Sequence, residues 1–228
     1  MLDNLDLSAG NSKLLAIVLN ERGAKEAAQF QEISYLGFPL SMSDTFQQRN
    51  ANQSRQEALD IMKRIKHICD KNEQHLVVYL SMGFGNPYGD PWSHDLVLEY
   101  TQLVAQEGVE IISVADTVGA AQATDIAALM GKLISEYDWI TFGAHFHTTP
   151  TDWEEKVAAA YKAGVRRFDA ALKGYGGCPF AKDELVGNLA TEHLMSYLAK
   201  QKEPLKDINK KALAAATAEA DALFGTYH

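Results

Sequence analysis

Along the chain, short β-branched or apolar runs alternate with longer stretches in which apolar residues recur at helical spacing. Six such units are legible. Strands are expected in "KLLAIVLN" (13–20), "ISYLGFPLS" (33–41), "HLVVYLSMGF" (75–84), "VEIISVADT" (109–117), "WITFGAHFH" (139–147) and "VRRFDAAL" (165–172). Between them, helical periodicity covers "GAKEAAQF", 55–73, 93–107, 122–136 and 152–163, and two further helices near 188–201 and 207–224 finish the chain. The polar segment "DTFQQRNANQS" (44–54) reads as a loop.

A βα series of this kind builds a parallel sheet, and its Gly-rich polar loops follow strand C-termini, the face on which barrel enzymes carry their sites. A closed barrel of this type takes eight strands. The expectation is therefore an α/β fold, an incomplete TIM (β/α)8-type barrel of about six βα units plus C-terminal helices, with residues 1–228 forming one domain.

Composition narrows the function classes. The 228 residues carry a formal net charge of −9, which argues against a nucleic-acid surface and favours small-molecule chemistry. Cys69 and Cys178 are the only cysteines, too few for a disulfide framework, so a reducing compartment is the default. No apolar run reaches the roughly 18–20 residues that span a bilayer, and the acidic start "MLDNLDLSAGNS" is unlike a secretory signal. The expectation is a cytoplasmic protein with no membrane partner.

Four stretches carry candidate chemistry. In "GAHFHTTP" (143–150), His145 and His147 are two residues apart on a strand, so their side chains share a face. That spacing suits a divalent-metal pair, and equally two histidines with no common target. In "GYGGCPFAKDELVGN" (174–188), Cys178 stands in a glycine loop, a poor place for a packing cysteine, and Asn188 is either the N-cap of the next helix or an oxygen ligand. "VADT" puts Asp116 and Thr117 at a strand end, for acid/base work or for a cap. "SMGFGNPYGDPW" (81–92) reads as a substrate-side loop that Tyr88 and Trp92 pack down, and Arg49 is a surface arginine or an anion contact. His67, His75, His94 and Cys69 lie away from the catalytic end and receive no role.

Taken in order, "YLSMGFGNPYGDPW", "ISVADTVG", "GAHFHTTP" and "GYGGCPFAKDELVGNLATE" resemble hydroxymethylglutaryl-CoA lyase, in the metal-dependent lyase branch of TIM barrels, from about Lys13 to the C-terminus. The Gly-Gly-Cys-Pro loop points to the lyase rather than to the related synthases. The resemblance implies that His145, His147 and Asn188 bind Mg or Mn, that Cys178 is the catalytic loop cysteine, and that Asp116 is an acid/base or substrate-orienting carboxylate. Glu192 is implied as a supporting residue, and the substrate as an acyl-CoA cleaved to acetoacetate and acetyl-CoA. A related aldolase or lyase on another 3-hydroxy acid or acyl-CoA, and a catalytically incomplete fragment of the family, stand as alternatives.

One departure bears on these implications. The family opens with a strand ending in an Arg-Asp pair, and no Arg-Asp pair occurs in this chain, whose first legible strand resembles the family's third. Three expectations follow: weaker Mg binding without the aspartate, a rate loss of about two to three orders of magnitude without the arginine, and open sheet edges at "KLLAIVLN" and "RRFDAAL" that pair with something, whether another chain, as in a homo-oligomer, or an aggregate.

Overall fold

The computed structural model of the chain describes residue 2 and residues 5–7, 10–177, 186–203 and 208–225. Strands β1 (Leu14–Ile17), β2 (Ile33–Ser41), β3 (His75–Ser81), β4 (Ile111–Asp116), β5 (Thr141–Phe146) and β6 (Arg167–Asp169) form one sheet. Its order is β1-β2-β3-β4-β5-β6 with every pairing parallel. That unbroken order is the winding of a (β/α)8-type barrel, with six strands among the described residues. The sheet runs out at β1 and β6, the two edges expected to be open.

Each strand puts alternate side chains on opposite faces. One set, including Leu36, Phe38, Leu40, Val78, Leu80, Ile112, Val114, Ala144 and Phe146, is fully or almost fully buried in the main core. The helices that contribute Met62, Ile65, Val97, Val104, Ile126, Leu129, Leu133 and Val157 to the same core are α3 (Arg55–Lys71), α4 (His94–Gln106), α5 (Ala123–Glu136) and α6 (Trp153–Lys162). Burying one such aliphatic side chain contributes about 1.5–3 kcal/mol, so this face of the sheet dominates the energetics. Local signals agree with the packing: Ser54 and Glu57 form a reciprocal capping box that starts α3.

The segment read as a polar loop is in part helical. Residues Asp44–Ala51 form α2, after the short α1 (Glu21–Ala27). The Ser43 side chain accepts from the Phe46 amide at its start, and Asn52 ends it in a left-handed conformation with φ 52°. Only Phe46 and Gln47 are buried, so the sequence shows almost no apolar periodicity and its capping residues carry the signal. At the other end of the chain, α7 (Thr191–Lys200) and α8 (Lys210–Phe224) follow the sheet.

Candidate active site

The second set of strand side chains faces the concave side of the sheet. Pro39 pairs with Tyr79, and Ala115, His145 and Asp169 form one cross-strand row. These residues line a cavity of about 560 Å³ at the C-terminal ends of the strands, together with His147, Asn188, Gly177 and the apolar side chains Leu15, Ile17 and Leu19. Ile17 and Leu19 remain 57% and 45% exposed, so the β1 side of the cavity is open and apolar.

His145 and His147 do converge, with ring centroids 5.5 Å apart. The Nδ1 atom of His147 lies 2.9 Å from the Val186 carbonyl. A carbonyl can only accept, so Nδ1 carries the proton and Nε2 keeps its lone pair. Burial holds this imidazole below its usual pKa, with the Val186 carbonyl pulling the other way and the neighbouring His145 reinforcing burial. The ring is thus a neutral donor, the form a divalent cation binds.

Asn188 is not a helix cap: α7 begins at Thr191, with Ala190 in the capping position. It sits instead in a short backbone bridge opposite His147, locked by Leu189 N–H to Phe146 O at 2.9 Å and Thr148 N–H to Gly187 O at 2.9 Å. Its side-chain amide donates to the Tyr175 carbonyl at 2.9 Å, which leaves its Oδ1 as the uncommitted end. The turn Leu172–Gly174 makes this approach, and Gly174 holds φ +72° where a Cβ would stand 2.7 Å from the Asn188 carbonyl.

The other residues singled out in the sequence take different positions. Asp116 follows Ala115 by one residue and so faces the helix layer rather than the cavity, 2.9 Å from the Nζ of Lys156. Burial pushes its carboxyl upward while the Lys156 ammonium and the Ala121 amide pull it back. Glu192, in the first turn of α7, accepts from the Lys173 amide at 3.0 Å and so supports the turn beneath Asn188 without lining the cavity. Cys178 lies outside the described residues. Arg49 stacks over the Tyr88 ring at 5.0 Å, and the Trp92 indole donates to the Gly83 carbonyl at 3.0 Å, so both aromatics pack the 81–92 loop down. Asp90 ties that loop to α2 by accepting from the Ser43 hydroxyl at 2.5 Å and the Thr45 amide at 2.9 Å.

Four residues that the sequence reading passed over belong to the site: Tyr79, Ser113, Arg167 and Asp169, each on the concave face. The Ser113 hydroxyl donates to Asp169 at 3.0 Å, and Asp169 Oδ2 lies 3.5 Å from His145 Nδ1. Burial, reinforced by the Asp169 charge, pushes the Tyr79 phenol up to about 12, so it stays protonated as a donor. For Tyr79 and Ser113 the signal was available as parity, since each stands in register with its strand's cavity-facing positions. Among the described residues no group of three or more His, Cys, Asp or Glu side chains meets at a single point suited to a metal. The available donor set is two imidazoles and one amide oxygen, chemically fit for a divalent cation but low in charge.

An HMGL-like family model matches residues 8–219. The chain is 28% identical over 201 residues to hydroxymethylglutaryl-CoA lyase YngG of Bacillus subtilis, covering 88% of this chain and 66% of that protein. It is 31% identical over 183 residues to (R)-citramalyl-CoA lyase of Chloroflexus aurantiacus, covering 80% of this chain and 57% of that one. Among solved structures, an HMG-CoA lyase from Acinetobacter baumannii in complex with coenzyme A and 3-methylmalate superposes with a TM-score of 0.82 at 28% identity. That match covers 92% of this chain and 68% of the other. The chain thus spans less than two thirds of the length of the curated relatives named. Among the described residues no helix is long and apolar enough to cross a membrane.

Proposed function

The chain belongs to the HMGL-like family, and from that premise we propose that it serves carbon–carbon bond cleavage of a 3-hydroxyacyl-CoA, with hydroxymethylglutaryl-CoA as substrate and Mg or Mn as cofactor. The observation that carries this reading is the orientation of the donors. His147 holds its proton toward Val186 and Asn188 holds its amide toward Tyr175, so both present lone pairs on the cavity that His145 also lines.

When bound, the divalent cation lowers the pKa of the substrate hydroxyl and orients it beside its carboxylate. This chain's residues then have three tasks. His145, His147 and Asn188 would hold the cation on the strand ends, in a cavity whose wall from β1 is apolar. As the hydroxyl gives its proton to water on the open β1 side of the cavity, its carbon becomes the ketone of acetoacetate and the bond to the acetyl-CoA fragment breaks, leaving the electron pair as an enolate. Cys178 donates the proton that converts the enolate carbon into the methyl group of acetyl-CoA. Asp116 acts at one remove, through Lys156, which donates to the His147 carbonyl at 3.1 Å. Glu192 acts likewise through the turn at Lys173.

Acetoacetate release from hydroxymethylglutaryl-CoA by the full chain with added Mg or Mn, beside a Cys178→Ala control, tests the reading. Metal-dependent release lost in the control is expected. The likeness to a citramalyl-CoA lyase favours a second substrate, so pyruvate release from (R)-citramalyl-CoA is measured in parallel. Pyruvate without acetoacetate overturns the substrate assignment while keeping the reaction class. A folded chain that binds Mn but releases neither product is a catalytically incomplete member of the family.

A further inference from the structure

The two cavity histidines are treated differently by their surroundings. His147 has a hydrogen-bond partner for Nδ1, whereas His145 Nδ1 is buried without one. The His145 side chain is nevertheless 31% exposed, so the edge turned to the cavity is the one bearing Nε2. The nearby charge is Asp169, whose Oδ2 lies 3.5 Å from His145 Nδ1. This proximity is set by the backbone, because His145 of β5 and Asp169 of β6 are register partners.

The carboxylate is itself held. Ser113 is fully buried on β4, two strands from β6, and its hydroxyl reaches Asp169 at 3.0 Å. The contact crosses β5 at Gly143, where a Cβ would stand 3.1 Å from the Ser113 hydroxyl and 3.1 Å from Cδ of Arg167. Glycine therefore opens the lane through which β4 braces a side chain of β6. Among the described residues that line the cavity, Asp169 is the one carboxylate.

We infer that Asp169 is a positioning residue: it accepts the Nδ1 proton of His145, fixes the tautomer that turns the Nε2 lone pair to the cavity, and lends negative charge to a donor set otherwise neutral. This rests on the metal reading given above. It makes His145 the counterpart of His147, one imidazole oriented by a carboxylate and the other by a backbone carbonyl. A carboxylate behind an imidazole raises the basicity of the far nitrogen and typically carries 10–100-fold of metal affinity.

The test uses the full chain with Mn²⁺ alone as probe. Calorimetric Mn²⁺ affinity is measured for the parent, Asp169→Ala and the isosteric Asp169→Asn, with far-UV circular dichroism to check the fold. The His145 tautomer is read from long-range ¹H–¹⁵N correlation of the metal-free protein at about pH 8. The parent should hold the proton on Nδ1. Asp169→Ala should release it toward Nε2 and weaken Mn²⁺ binding by about 10–100-fold. Asp169→Asn, which can still accept through its amide oxygen, should keep the tautomer and lose part of the affinity. A parent His145 protonated on Nε2, or Asp169→Ala binding Mn²⁺ within about twofold of the parent, overturns the inference. If no form binds Mn²⁺ the metal reading fails, and the tautomer shift between parent and variants still decides whether Asp169 orients His145.

Discussion

Lys156 and Asp116 form a salt bridge of 2.9 Å with both side chains only 1% exposed. The same ammonium donates to the carbonyls of Gly119 and His147 and lies 3.2 Å from Asp152. One cation on α6 thus gathers the loop after β4 and the end of β5. That end carries His147, so the placement of a proposed ligand depends on a buried charge pair.

Removing one partner leaves the other charge buried and alone, which typically costs 3–5 kcal/mol. Lys156→Met is therefore expected to lower stability by about 3–5 kcal/mol in urea denaturation. The double variant Asp116→Leu with Lys156→Met should recover much of that loss, since the one carboxylate it leaves without its cation, Asp152, is part-exposed. A single variant within about 0.5 kcal/mol of the parent would contradict the anchoring role.

Parity explains what could and could not be seen in the sequence. The strand 33–41 emerges with its predicted bounds because "ISYLGFPLS" is largely apolar and follows the polar pair Gln31-Glu32. The pair at 145 and 147 was legible because two histidines at i and i+2 share a face whichever face it is. Asp116 was ambiguous because a strand-end carboxylate reads the same facing inward or outward. Its register partner Phe146 lies in the outer core, while Ala115 beside it pairs with His145 on the cavity side. Asp169 was passed over in "RRFDAAL", a three-residue strand too short to show alternation. Its role depends on partners 24 and 56 residues earlier, His145 and Ser113, that only the register brings together.

The buried His147 gives a signed pH dependence. Its folded pKa lies below the usual imidazole value of about 6.5, chiefly through burial, so below that pH the unfolded chain binds more protons than the folded one. Stability from this group is therefore present above about pH 6.5 and declines as pH falls through that value toward the lowered folded pKa. His147→Asn retains an N–H near the Val186 carbonyl but cannot titrate. Urea midpoints at about pH 7.5 and pH 5.5 should differ less for this variant than for the parent. An equal or larger difference would show that His147 does not contribute.

Cysteine chemistry should separate the two thiols. Burial, helped by the Asp70 charge, pushes the Cys69 thiol up to about 11. Thiolate is the reactive form, so Cys69 should resist a thiol-specific disulfide reagent at about pH 8 until the chain unfolds. Any thiol that reacts in the folded protein then belongs to Cys178, the one other cysteine. Persistence of that reaction in Cys178→Ser would mean that Cys69 is reached through local opening.

The turn beneath Asn188 offers a way to move one candidate ligand without altering its chemistry. Gly174 holds φ +72°, and an alanine Cβ there would meet the Asn188 carbonyl at 2.7 Å. Gly174→Ala combines an unfavourable left-handed backbone with a collision against backbone, for an expected loss of roughly 1–3 kcal/mol. The collision also falls on the residue whose amide donates to Tyr175 and whose Oδ1 is a proposed metal ligand. Mn²⁺ affinity should therefore fall in the folded variant. Gly89→Ala is the control: it also has a positive φ, +78°, but no atom lies within 4 Å of its added Cβ. It should lose stability without losing Mn²⁺. Equal effects of the two substitutions on Mn²⁺ binding would remove Asn188 from the metal site.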